Sequence, residues 1–160
     1  MGSYFNCTIN CEFPANLRME YVELLRYITT PEYQLEVTLD VGDEFIDSIP
    51  NIVERGFHLR PHPSSGLSIS RFVAFRGSDQ HIYSYTLQYI DYSIGDDVFA
   101  NFHVPLLIWI AKHCVPGLIG YFSSTMQALA HEFPLSLLQA RDGKLITVDL
   151  SEAGKISRYD

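Results

Sequence analysis

The chain is poor in the residues that announce chemistry. Of its 160 residues only three are cysteine, Cys7, Cys11 and Cys114. An odd number without the dense spacing of a disulfide framework points to a reducing, cytoplasmic compartment. No Gly-x-x-x-x-Gly-Lys-Ser/Thr and no Gly-x-Gly-x-x-Gly occurs; the ten glycines are scattered singly, so no phosphate cradle is encoded. Gly120-Tyr121-Phe122-Ser123 lacks the flanking glycines of a nucleophile elbow. Bases are scarce, 11 Lys plus Arg against 19 Asp plus Glu, a net charge of −8. That balance argues against nucleic acid or anionic lipid as a partner. Long apolar runs are missing too. The most lipid-like stretch, 104–122, is interrupted by Pro105, Lys112, His113, Pro116 and Gly117. It reads as a buried helix, a break and a buried strand, and no membrane association is expected. The first residues, Met1 to Asn6, show neither a basic nor an apolar region of a secretory leader.

What is present is a folding chain. A hydrophobic fraction of 47% and an aromatic fraction of 13% exclude a disordered tail, and the length suits one core. Residues 4–13 alternate, with Phe5, Cys7, Ile9, Cys11 and Phe13 on one face, which predicts a half-buried strand ended by Pro14. Residues 16–29 switch to helical spacing behind Asn16 as N-cap. Residues 33–41 alternate again. Asp43 then caps a helix over 44–55 that Pro50 kinks or divides. Arg60 to Gly66 is a loop. Residues 67–76 and 81–92 predict a hairpin around Gly77 to Gln80. Ser93 to Asp97 reads as a loop, 98–114 as a buried helix starting near Val104, and 118–123 as a short buried strand. Asp142-Gly143 between 135–140 and 145–150 is a strong hairpin signal. The expectation is one α+β domain over 1–150, a largely antiparallel sheet of six or seven strands with about three helices on one face. Residues 151–160 are expected to fray.

The histidines and cysteines do not assemble into a catalytic or metal motif. His58 and His62 have ligand spacing, but Pro61 and Pro63 forbid a helical display. Cys7 and Cys11 share a strand face yet lie roughly 13 Å apart at about 3.3 Å per residue. His113 and Cys114 are helix neighbours and do not face each other. No cofactor, no metal and no enzymatic activity are therefore expected.

Two surfaces carry functional expectations. Residues 32–54 hold seven acids and no base, and the rest of the chain sums to −1. Concentrated charge of one sign steers a basic partner, so Glu36, Asp40, Asp43, Glu44 and Asp47 are the candidate partner-binding residues. The second surface is aromatic. Tyr83, Tyr85 and Tyr89 share one predicted strand face; with Trp109 and either His58 or His103 they would line a ligand or enzymatic pocket. A homodimer burying the tyrosine face is a third reading.

The last quarter carries Gly117 to Phe122, then Glu132-Phe133-Pro134, then Arg141-Asp142-Gly143-Lys144-Leu145. This arrangement resembles the ending of small acidic bacterial immunity proteins of polymorphic toxin systems, over about 35 residues. The resemblance implies a non-enzymatic inhibitor that occludes the basic active-site cleft of a cognate toxin with an acidic surface.

Overall fold

In the first strand every second side chain is apolar, and the fold is built around it. The computed structural model describes residues 4–30, 33–35, 39–54, 69–125, 135–150 and 155–159. Strand β1 (Tyr4–Pro14) is followed by helices α1 (Met19–Thr29) and α2 (Glu44–Glu54) and the hairpin β2 (Ile69–Arg76) and β3 (Ile82–Gly95). A helical run comes next: α3 (Asp96–Val98), a π-helical turn (Phe99–His103) and α4 (Val104–His113). Strands β4 (Gly117–Thr125), β5 (Leu135–Arg141), β6 (Lys144–Asp149) and β7 (Lys155–Tyr159) complete one sheet. Its order is β2-β3-β1-β4-β5-β6-β7, and all six neighbouring pairs are antiparallel. The α+β class expected from the sequence is the one observed. Among the described residues no helix is long and apolar enough to cross a membrane.

β1 lies between β3 and β4, which are antiparallel to it and therefore parallel to each other. Two parallel strands cannot be joined by a tight turn, so the helical run from Asp96 to His113 serves as the crossover. Cys7, Ile9, Cys11 and Phe13 point into the core beneath it. Phe13 and Tyr21 both meet Trp109, at ring-centroid distances of 6.5 and 5.1 Å, tying β1 and α1 to α4. Phe5 stacks on Phe99 of the π turn at 4.2 Å. Val104 N donates to Phe99 O, five residues back, and Pro105 follows without an N–H to give.

Several local expectations need correction. α1 begins at Met19, with Arg18 rather than Asn16 at the cap and no side-chain capping bond. Residues 33–35 and 39–41 are not strand; Tyr33, Leu35, Leu39 and Val41 pack on the core without entering the ladder. Alternation here reports docking of an extended segment, which needs a period of two but no sheet neighbour. The expected loop at Ser93 to Asp97 does not form, because β3 runs to Gly95 and the helix starts at the next residue. The segment expected to fray supplies β7, paired with β6 from Leu145↔Tyr159 to Asp149↔Lys155. The loop at 60–66 lies outside the described residues. The Asp142-Gly143 turn is as expected, with φ of 54° and 71°, the left-handed pair of a type I′ turn.

At Gly120 the backbones of β1 and β4 leave no room for a side chain. A Cβ placed there would lie 2.0 Å from the Thr8 carbonyl oxygen, which is backbone and cannot swing away. Gly120→Ala should destabilise the chain by about 2–3 kcal/mol in urea denaturation, the usual cost of overpacking. Gly95→Ala, with open space around the new methyl, should stay within about 0.5 kcal/mol of the parent.

Candidate functional site

The acidic segment folds into a short loop and the first turn of α2, where the carboxylates divide into two kinds. Asp43 Oδ1 accepts from Phe45 N and Ile46 N, each at 3.1 Å, which is N-cap geometry. Asp47 Oδ1 reaches back to Val41 N at 2.9 Å and pins the incoming loop to the helix. Both are partly buried, whereas Asp40 and Glu44 are exposed. Glu36 lies outside the described residues. The ion pairs among the described residues, Arg18–Glu20, Arg26–Glu23 and Arg141–Asp142, involve none of these four acids. α2 itself is anchored through Ile46 and Ile49, both fully buried, and through Phe45 against Phe102 at 5.6 Å. The carboxylates therefore sit on a backbone that is held from below.

Beside them runs an open groove of about 470 Å³. Phe45, Ile108 and Trp109 form its apolar wall, and Asp43, Lys112 and Lys144 bring charge of both signs to it. The acidic surface is therefore bordered by lysines contributed by α4 and the β5–β6 turn, which no count along residues 32–54 reveals.

The aromatic residues expected to line a pocket are not gathered round one cavity. Tyr85, Tyr89, Trp109 and His103 are 4%, 6%, 3% and 1% exposed and fill the interior. The space beside Tyr89 is about 10 Å³, at the lower limit of what one water needs. Tyr83 departs from its expected partners. The register slips between Phe75↔Ser84 and Arg76↔Ile82, and this bulge turns Tyr83 outward, 54% exposed, against Phe75 and His81. His58 lies outside the described residues. Trp109 Nε1 is buried without a hydrogen-bond partner among the described residues.

Tyr89 and His103 do meet, in a buried polar chain. Tyr89 Oη lies 2.9 Å from His103 Nε2 and donates to Asp91 Oδ2 at 3.1 Å. His103 Nδ1 is 3.4 Å from Val98 O. The phenol has one proton, so with Tyr89 donating to Asp91 the imidazole must donate from Nε2. A neutral ring then has nothing to give Val98 O; only the imidazolium satisfies all three contacts. Burial opposes that charge and lowers the His103 pKa from its ordinary 6.5, against the raising influence of Val98 O and Asp91. The same burial, with Asp91 nearby, holds Tyr89 well above the ordinary tyrosine value.

The three cysteines are buried free thiols. Burial pushes Cys7 up to about 12. Cys11 is raised by its hydrogen bond to Cys114 and by burial, and Cys114 is lowered by the same bond. Among the described residues no three His, Cys, Asp or Glu side chains cluster as a metal site would require.

The exposed apolar surface of the sheet was not anticipated from the sequence. The stretch 118–123 reads as a strand buried on both sides, yet Leu118 is 62% and Tyr121 45% exposed. Comparison of the chain with protein-family models, with curated proteins and with solved structures finds no match.

Two outcomes follow from these contacts. Asp43→Ala should cost about 1 kcal/mol of stability through loss of the cap, while Glu44→Ala should stay within about 0.5 kcal/mol; urea titration separates them. His103 holds its proton less tightly folded than unfolded, so its contribution is full above the ordinary value of 6.5 and is lost as pH falls from there through the folded value. Stability measured from about pH 7.5 down to about pH 5 should decline, and His103→Gln should flatten the decline; His113, also lowered by burial, contributes in the same direction.

Proposed function

We propose that this chain is a non-enzymatic protein-binding module that meets a basic protein surface with the carboxylates at the start of α2, in the manner of an immunity protein blocking its toxin. The observation that carries this reading is the fixed loop. Asp43 and Asp47 are spent on Phe45, Ile46 and Val41 backbone groups, and by holding the turn they present Asp40 and Glu44 to solvent. A pre-ordered charged turn loses little entropy on docking. The adjacent groove with Phe45 and Trp109 in its wall offers a partner side chain an apolar anchor, the usual companion of steering charge at an interface. The resemblance of the C-terminal quarter to immunity proteins supports the same partner class.

The discriminating experiment is affinity capture from the source cells with the parent chain and the Asp40→Lys/Glu44→Lys double variant, read by mass spectrometry. Neither position is engaged in the fold's capping bonds, so the variant should keep the parent's melting curve. A partner with a basic domain should bind the parent, weaken as salt rises from about 0.05 to about 0.5 M, and bind the variant roughly tenfold less well or worse. Equal retention by the variant, or indifference to salt, would sink the proposal.

A further inference from the structure

The helices cover one face of the sheet, and the opposite face has a character of its own. Of the ten large apolar side chains exposed among the described residues, six lie on it: Tyr4, Val73, Phe75, Tyr83, Leu118 and Tyr121. Their orientation follows from their neighbours. Phe5, Phe72, Ala74 and Phe122 pack on the core, so the alternate residues of the same strands point away. Exposed apolar area concentrated this way marks an interaction surface.

The register shows how continuous the surface is. Ile90, Thr8, Tyr121, Leu137 and Val148 stand directly opposite one another across β3, β1, β4, β5 and β6. Four strand spacings of about 4.8 Å make a row about 19 Å long. A second row, Leu118, Gln139, Ile146 and Arg158, crosses β4 to β7 next to it, with Ile146 itself buried between its neighbours. About 13 residues of helix span the first row at 1.5 Å each, and a pitch of about 5.4 Å brings roughly one side chain to each strand.

The charge on this face is opposite to that of the chain as a whole. Arg71 and Arg141 alternate with inward Phe72 and Ala140, Arg141 standing 3.8 Å from Asp142, and Arg158 stands opposite Ile146 in the outward row; the one acid placed likewise on β1 is Glu12. In a chain of net charge −8 the open face is basic, and the acids gather at α2 on the helical side. We propose that the open face of the sheet, from β3 to β7, docks an acidic amphipathic helix of a partner protein, its apolar stripe on the Tyr121 row and its carboxylates on the flanking arginines. A helix layer is what closes an exposed apolar sheet face. A second copy laid face to face would set arginine against arginine, and a basic helix would meet the same repulsion. This surface is separate from the carboxylates of α2 and does not rest on their role.

The test uses two labelled synthetic helical peptides of about 18 residues with the same leucine stripe, one carrying glutamate and the other lysine at the remaining positions. Anisotropy titration of the full chain should show the glutamate peptide binding at least about tenfold more tightly. Leu118→Thr/Tyr121→Thr keeps strand propensity at two exposed positions and should weaken that peptide about tenfold or more. Arg71→Glu/Arg158→Glu should abolish or reverse the preference, and Asp40→Lys/Glu44→Lys should leave it unchanged. The proposal is overturned if neither peptide binds, if the lysine peptide binds as well, or if the threonine variant binds like the parent. It is also overturned if a polyuridylate strand outcompetes the glutamate peptide on this face, or if sedimentation shows a dimer that the threonine variant dissolves.

Discussion

The position of β1 between β3 and β4 is the constraint on which the rest of this molecule depends. One strand receives backbone bonds from both sides, and its inward residues Cys7, Ile9, Cys11 and Phe13 become the floor of the core. Ile9 and Phe13 each contribute about 1.5–3 kcal/mol by leaving water. Because β3 and β4 are then parallel, a helical crossover has to pass above β1, and Trp109 and Phe99 arrive over Phe13 and Phe5. Gly120 lets the third strand come close enough to the Thr8 carbonyl for the ladder to close. The order of the sheet, the site of the π turn and the burial of His103 all follow from this insertion.

Insertion also separates charge. With the described helices on one side, the acids of α2 end up above the sheet and the outward arginines below it. A chain whose composition is acidic thus presents two surfaces of different sign. Interiors tolerate charge only when it is paired and hydrogen-bonded, and the buried Tyr89 and His103 accordingly meet each other and Asp91 in a polar chain.

Much of the fold was legible from local pattern. The period-two run of β1, the hairpin of β2 and β3, the Asp43 cap and the Asp142-Gly143 turn each rest on contacts between residues close in sequence. Where pattern misled, a distant partner decided. The alternation of 33–41 is real, but the described Tyr33, Leu35, Leu39 and Val41 dock on the core without entering the ladder. β7 carries little signal of its own and exists because β6 offers a free edge. Tyr83 keeps its place in the alternation and still faces outward, because one bulge beside Arg76 reverses the sides. The acidic candidates were legible as charge, but not their division into capping and exposed carboxylates, since that depends on Asp47 reaching Val41.

Leu118 and Tyr121 show the same limit most clearly. In the sequence they belong to an apolar run that any reading would bury. In the fold they stand on the outer face, because of a register shift between Leu118 and Gly120 and because, among the described residues, no helix packs over them. By itself the sequence determined the α+β class, the hairpins and the place of the acidic segment, because period, turn chemistry and charge act over a few residues. Only the tertiary structure decided which apolar residues are core and which are surface, because burial is a property of what packs on the other side.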